Sequence, residues 1–160
     1  MKSLPNEAVE GFTREAVRDV FRQMLAMELM DDEPSPLAAQ PGGQIIGSVG
    51  FIGQATGIVY LFAGVGLARF ITGAMLGLAE TEVDDDMVND AFGELSNMVV
   101  GSVKSQLCDH GWLCELTIPS IVRGNELQVE SVAHGKKTIF GFRLGEHRLL
   151  VEITIKDSQP

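Results

Sequence analysis

The stretch Asp84–Gly111, DDDMVNDAFGELSNMVVGSVKSQLCDHG, constrains this chain more than any other. Its apolar residues recur at three- and four-residue steps, the period of a helix. Wound at about 100° per residue, Val88, Phe92, Leu95, Val99, Val103 and Leu107 form one core-facing line. Asp90, Glu94, Asn97, Gly101, Lys104 and Cys108 fall within roughly 40° of a line on the opposite side. Asn is a poor mid-helix residue because its amide competes for backbone hydrogen bonds. Gly93 and Gly101 each cost about 1 kcal/mol against Ala. A helix that keeps such residues is using that face for close approach by something else. The acidic run Glu80–Asp86 suits a helix start, where the macrodipole favours negative charge. Gly111 suits the position just past its end.

The rest of the chain arranges itself around this helix. Residues 3–29 predict a first helix, with Ser3 as N-cap, Pro5 in the first turn, and Val9, Phe12, Ala16, Val20, Met24 and Met27 as its apolar line. Asp31–Gly43 carries three prolines and a Gly pair, which forbid a helix, and is too short to separate two domains. Gln44–Ile52 and Gly57–Phe62 read as strands around a GQATG turn. Gly64–Leu78 suits a short buried helix whose one charge is Arg69. After the long helix, Leu113–Ile118, Glu126–Ala133, Thr138–Leu144 and Arg148–Ile155 read as strands, the last two alternating as half-buried antiparallel strands do. The order predicts an α/β fold: a largely antiparallel sheet of about six strands with long helices packed on one side. One domain over 1–160 is expected, with an N-terminal helix to residue 30, a loop over 31–43 and a core over 44–156.

Composition removes several function classes. Apolar residues make up 45% of the 160, enough for a substantial core. The net charge is −10, with only 12 Lys and Arg, and those are scattered. A nucleic-acid groove or an anionic membrane surface needs them clustered. No apolar run approaches the roughly 20 residues of a spanning helix. The N-terminus has acidic residues where a secretory signal would have its apolar core, which points to the cytoplasm. Cys108 and Cys114 suit buried thiols better than a disulfide framework. His110, His134 and His147 fall at turns or helix ends, and no G-x-S-x-G elbow or GK[ST] loop occurs. Cys108, His110 and Cys114 are too few and too dispersed for zinc, so no metal centre is assigned.

That leaves the stripe. Asp90, Glu94 and Asn97 spell D-x3-E-x2-N on one helix, and Pro119 comes about twenty residues later at the end of the next strand. With DAFGELSNMVVGSVKSQL and then LTIPSIV, the chain resembles the CheC/CheX/FliY phosphatases of bacterial chemotaxis, and the CheX branch best. The resemblance covers roughly residues 44–155. It implies hydrolysis of the aspartyl phosphate of a CheY-like receiver domain, with the acyl phosphate and its Mg²⁺ belonging to that partner. It further implies that Asn97 positions the attacking water and that Glu94 pairs with the partner's lysine. Asp90, Gly93, Gly101 and Lys104 would then face the partner, with Pro119 shaping the strand end. CheC-type relatives carry a second motif. Here the first helix has Glu15 with Arg18 in place of Asn, so one active stripe per chain is expected, in a homodimer. Two rivals stand beside this reading. One is a CheX-like module that binds a receiver without turnover. The other is a sensory domain using the apolar segment 64–78 as a ligand pocket.

Overall fold

The computed structural model describes residues 6–130 and 135–156. Three helices, α1 (Asn6–Leu25), α2 (Val65–Leu76) and α3 (Asp85–Asp109), lie on one face of a seven-stranded sheet. Its strands are β1 (Met30–Asp32), β2 (Gln44–Gly53), β3 (Gly57–Gly64), β4 (Cys114–Leu116), β5 (Ser120–Gly124), β6 (Gly135–Leu144) and β7 (His147–Lys156). They run in the order β1-β6-β7-β3-β2-β4, and β5 continues the β4 edge along β2. Every pairing is antiparallel. No helix is long and apolar enough to cross a membrane among the described residues.

Alternation sorts the sheet residues. Ile45, Val49 and Phe51 face the helices, as do their register partners Ala63, Val59 and Gly57 and, on β7, Leu149, Val151 and Ile153. The apolar members of that set are buried, and they close on α3 through Val88, Phe92, Leu95, Val99, Val103 and Leu107, all fully buried. The core line expected of the long helix is therefore the observed one.

The first helix is shorter than 3–29, and Ser3 and Pro5 lie outside the described residues. Its buried line runs through Val9, Thr13, Ala16, Val17, Val20 and Phe21, with Met24 half-exposed at 52%. The expected line drifts because it samples only one residue per turn, whereas α1 buries pairs of neighbours under α3. The helix stops at Ala26, whose φ is +51°. The Met27 N–H returns to the Phe21 carbonyl O at 3.1 Å and the Ala26 N–H to that of Arg22 at 3.1 Å, a left-handed C-terminal cap.

Two corrections concern the segments read as loop and strand. Residues 31–43 begin inside β1, which pairs with β6 at Arg143, Phe142 and Gly141. Arg148 fastens the chain leaving β1, donating to Asp32 Oδ2 at 2.9 Å and to the Glu33 and Ser35 carbonyl oxygens at 2.8 and 3.1 Å. Downstream, Ser120–Gly124 is the strand and 126–130 is irregular. Residues 131–133 of the expected strand lie outside the described residues. The apolar pattern LQVE imitates a half-buried strand because Leu127 and Val129 cover the far face of the sheet.

Candidate functional site

Local chemistry starts α3 where the sequence says it should. Asp84 caps it, its carboxylate accepting from the Met87 N–H at 2.8 Å, and Asp85 and Asp86 fill the positive first turn. Arg69 of α2 donates to the Val83 and Glu80 carbonyl oxygens. Asp85 lies between Arg123 of β5 at 3.2 Å and Arg69 at 3.7 Å. The single charge of the apolar helix α2 thus anchors the start of α3. At the other end the His110 Nδ1 sits 2.8 Å from the Gln106 carbonyl O, with its ring 4.8 Å from that of Phe12.

The stripe projects outward from this frame. Asp90 and Glu94 are exposed, and Asn97, Gly101, Lys104 and Cys108 are half-buried. Glu94 and Asn97 stand one turn apart on the same side, as an i, i+3 pair must. No side-chain hydrogen bond or ion pair engages either among the described residues, whereas their neighbour Ser96 donates to the Phe92 carbonyl O at 2.8 Å. A carboxylate and a carboxamide held on a rigid helix with free hydrogen-bonding capacity can serve an external group. Gly101 has nothing within 4 Å of where a side chain would begin, so a partner backbone has room there. Lys104 reaches Glu115 of β4 at 3.6 Å.

Gly93 sits differently from the expectation. It is buried, and a Cβ there would meet Ile121 at 3.7 Å, so it serves the packing of β5 and not the outward stripe. Pro119 lies between β4 and β5, in the one break of that edge. Cys108 and Cys114 are both free thiols; burial pushes the Cys114 thiol up, and the neighbouring Cys108 adds to the rise. The second half-motif is occupied internally, since Arg18 of α1 pairs with Asp31. The groove on the far face, about 550 Å³, is lined by Phe62, Leu127, Ile139 and Leu150 with the Lys137–Glu152 ion pair, and no residue of 64–78 lines it.

An antiparallel sheet under three helices is the architecture of the CheC- and CheX-like structures that this chain matches. The chain is similar in structure to the chemotaxis protein CheX from Vibrio vulnificus, at 25% identity and a TM-score of 0.82 over 96% of this chain and all of that one. A CheC-like superfamily protein from Shewanella sp. PV-4 matches at 26% identity and a TM-score of 0.81, again over 96% of this chain and all of its own. The family model for chemotaxis phosphatase CheX matches residues 45–143, and the chain belongs to that family. A curated relative, the CheY-P phosphatase CheX of Thermotoga maritima, is 28% identical over 126 residues, 78% of each chain.

Proposed function

We propose that this protein removes the phosphoryl group from the aspartate of a phosphorylated, CheY-like receiver domain. The observation that carries this reading is the outward placement of Glu94 and Asn97, unpaired among the described residues, within the segment matched by the family model. Relatives give it support. The Thermotoga maritima protein is a CheY-P phosphatase by name, and the CheX of Borrelia burgdorferi forms a complex with CheY, BeF₃ and Mg²⁺.

The chemistry asked of this chain is modest. Water attacks phosphorus in line, the acyl oxygen–phosphorus bond breaks, and the partner's carboxylate and inorganic phosphate are released. Asn97 accepts a hydrogen bond from that water, donates another, and does not titrate, so it fixes the water's direction at any physiological pH. Glu94 pairs with the lysine of the partner's site and orients the helix in the cleft. Mg²⁺ belongs to the partner. Asp90, Gly101 and Lys104 extend the docking face. The same reading puts the protein in the cytoplasm, as a homodimer of 17.3 kDa subunits, which light scattering of the purified protein checks.

The direct test is loss of phosphate from a receiver charged with a small phosphodonor. The wild type should accelerate it and Asn97→Ala should not, while Asn97→Ala still binds the receiver. A wild type that binds without acceleration makes the protein a docking module; unchanged turnover in Asn97→Ala removes the assigned mechanism.

A further inference from the structure

The edge strand beside α3 contains a β-bulge. β4 pairs with β2 as far as Leu116 opposite Phe51, and β5 resumes at Ser120 opposite Ser48. Thr117, Ile118 and Pro119 therefore oppose only Val49 and Gly50, the one-residue excess of a bulge. Thr117 locks it: its N–H donates to the Gly50 carbonyl O at 2.8 Å, and its hydroxyl accepts from the Gly50 N–H at 2.8 Å. Pro119 has no N–H to return to the ladder.

The extra residue shifts the alternation. Leu116 and Ile121 pair with Phe51 and Gly47, both on the helix side of the sheet, although an odd number of steps separates them. Thr117 packs on Gly50, on the far side. Ile118 follows within the bulge, on the edge that runs beside α3. There it is 87% exposed, more than any other large apolar side chain among the described residues. Two contacts place it along the helix. Ile121 lies against Gly93, and Glu115 reaches Lys104. The edge thus runs antiparallel to α3, and Ile118, midway between Glu115 and Ile121, comes alongside the stretch holding Glu94, Asn97 and Gly101.

We infer that Ile118 is an apolar anchor that docks on the receiver domain beside its phosphorylated aspartate and helps decide which receivers are accepted. This rests on the phosphatase reading. Bulges at sheet edges re-aim side chains, and here the bulge re-aims an aliphatic one out of the core. An exposed charge pair such as one made by Glu94 orients a partner but adds little affinity. A β-branched aliphatic group desolvated against the partner supplies what the charges do not, and its stiff χ1 leaves little freedom to lose on binding.

The test uses the full chain, with Ile118→Ala and Ile118→Asp beside the wild type. Binding is titrated with a CheY-type receiver loaded with beryllofluoride and Mg²⁺, and dephosphorylation is measured against receiver concentration. Ile118→Ala should raise Kd and KM about fivefold and Ile118→Asp at least about twentyfold, the loss lying mainly in KM and not in kcat. Melting temperatures should match the wild type, since the side chain is exposed. Equal Kd and KM in all three proteins, with the wild type active, overturn the anchor alone. A wild type that accelerates no receiver and binds none overturns the phosphatase reading, and the anchor with it.

Discussion

Gly47 of β2 and Ser96 of α3 meet where the long helix crosses the sheet. A side chain on Gly47 would run into the Ser96 hydroxyl and come within 3.2 Å of the Phe92 ring. Ser96 is fully buried and its hydroxyl is held by the Phe92 carbonyl, so it has no room to yield. The distance of α3 from the sheet is set at this crossing. Gly47→Ala should cost about 1–3 kcal/mol of stability, read as a lower urea midpoint with an unchanged slope. It should also lower activity, because Glu94 and Asn97 ride on the displaced helix. An unchanged midpoint would show that α3 can lift freely.

Glu94 and Asn97 are expected to separate function from stability. Neither side chain is tied to the fold among the described residues, so Glu94→Gln and Asn97→Ala should each change stability by no more than about 0.5 kcal/mol. Asn97→Ala should lower kcat on a phosphorylated receiver about a hundredfold or more. Glu94→Gln keeps size and removes charge. It should raise KM and flatten the salt dependence of the rate, because the pairing it loses is screened by ions. Initial rates at two ionic strengths decide the matter.

Asp32 makes a pH-dependent clamp. The Arg148 guanidinium beside it holds its carboxyl below its ordinary value of 3.8, helped by the Glu33 N–H and by Arg143. A carboxyl lowered by folding stabilises the native state above its unfolded value, and that contribution is lost as pH falls through the lowered one. Asp32→Asn should therefore lower the melting temperature at pH 7. The gap to the wild type should close progressively below about pH 4. A gap that persists unchanged at pH 2.5 would falsify the charge-based account of the clamp.

Ala26 occupies a left-handed position at the end of α1, where an L side chain is strained. Ala26→Gly should stabilise the protein by about 1 kcal/mol, visible as a higher melting temperature with activity unaltered. A decrease would mean that the Ala26 methyl is worth more in packing than it costs in strain.

Much of the molecule is legible in its residues. The 3.6-residue spacing from Val88 to Leu107 identifies both the buried line of α3 and the outward stripe, because helix geometry alone decides which residues share a face. The acidic run Glu80–Asp86 marks the start of α3, where Asp84 caps it, because that chemistry lies within one turn; the helix expected over 64–78 runs past its true end, the left-handed Gly77. Other features are hidden. β1 is a three-residue strand, Met-Asp-Asp, with no strand-like composition; only its pairing with β6 makes it one. β5 escapes notice because the bulge at Thr117–Pro119 breaks the two-residue period that reveals a strand. Gly93 reads as part of the stripe's setting because sequence spacing shows which helix face a residue takes, not which strand fills the space beside it.

Local sequence is enough for the helices, the antiparallel class of the sheet and the Glu94–Asn97 pair, since these depend on neighbours a few positions away. Three-dimensional packing was needed to establish how deep α3 sits over Gly47, that Arg18 is spent on Asp31, and that Ile118 stands beside the stripe. Those facts depend on residues tens of positions apart, and their meeting is settled by register and packing, which no local pattern encodes.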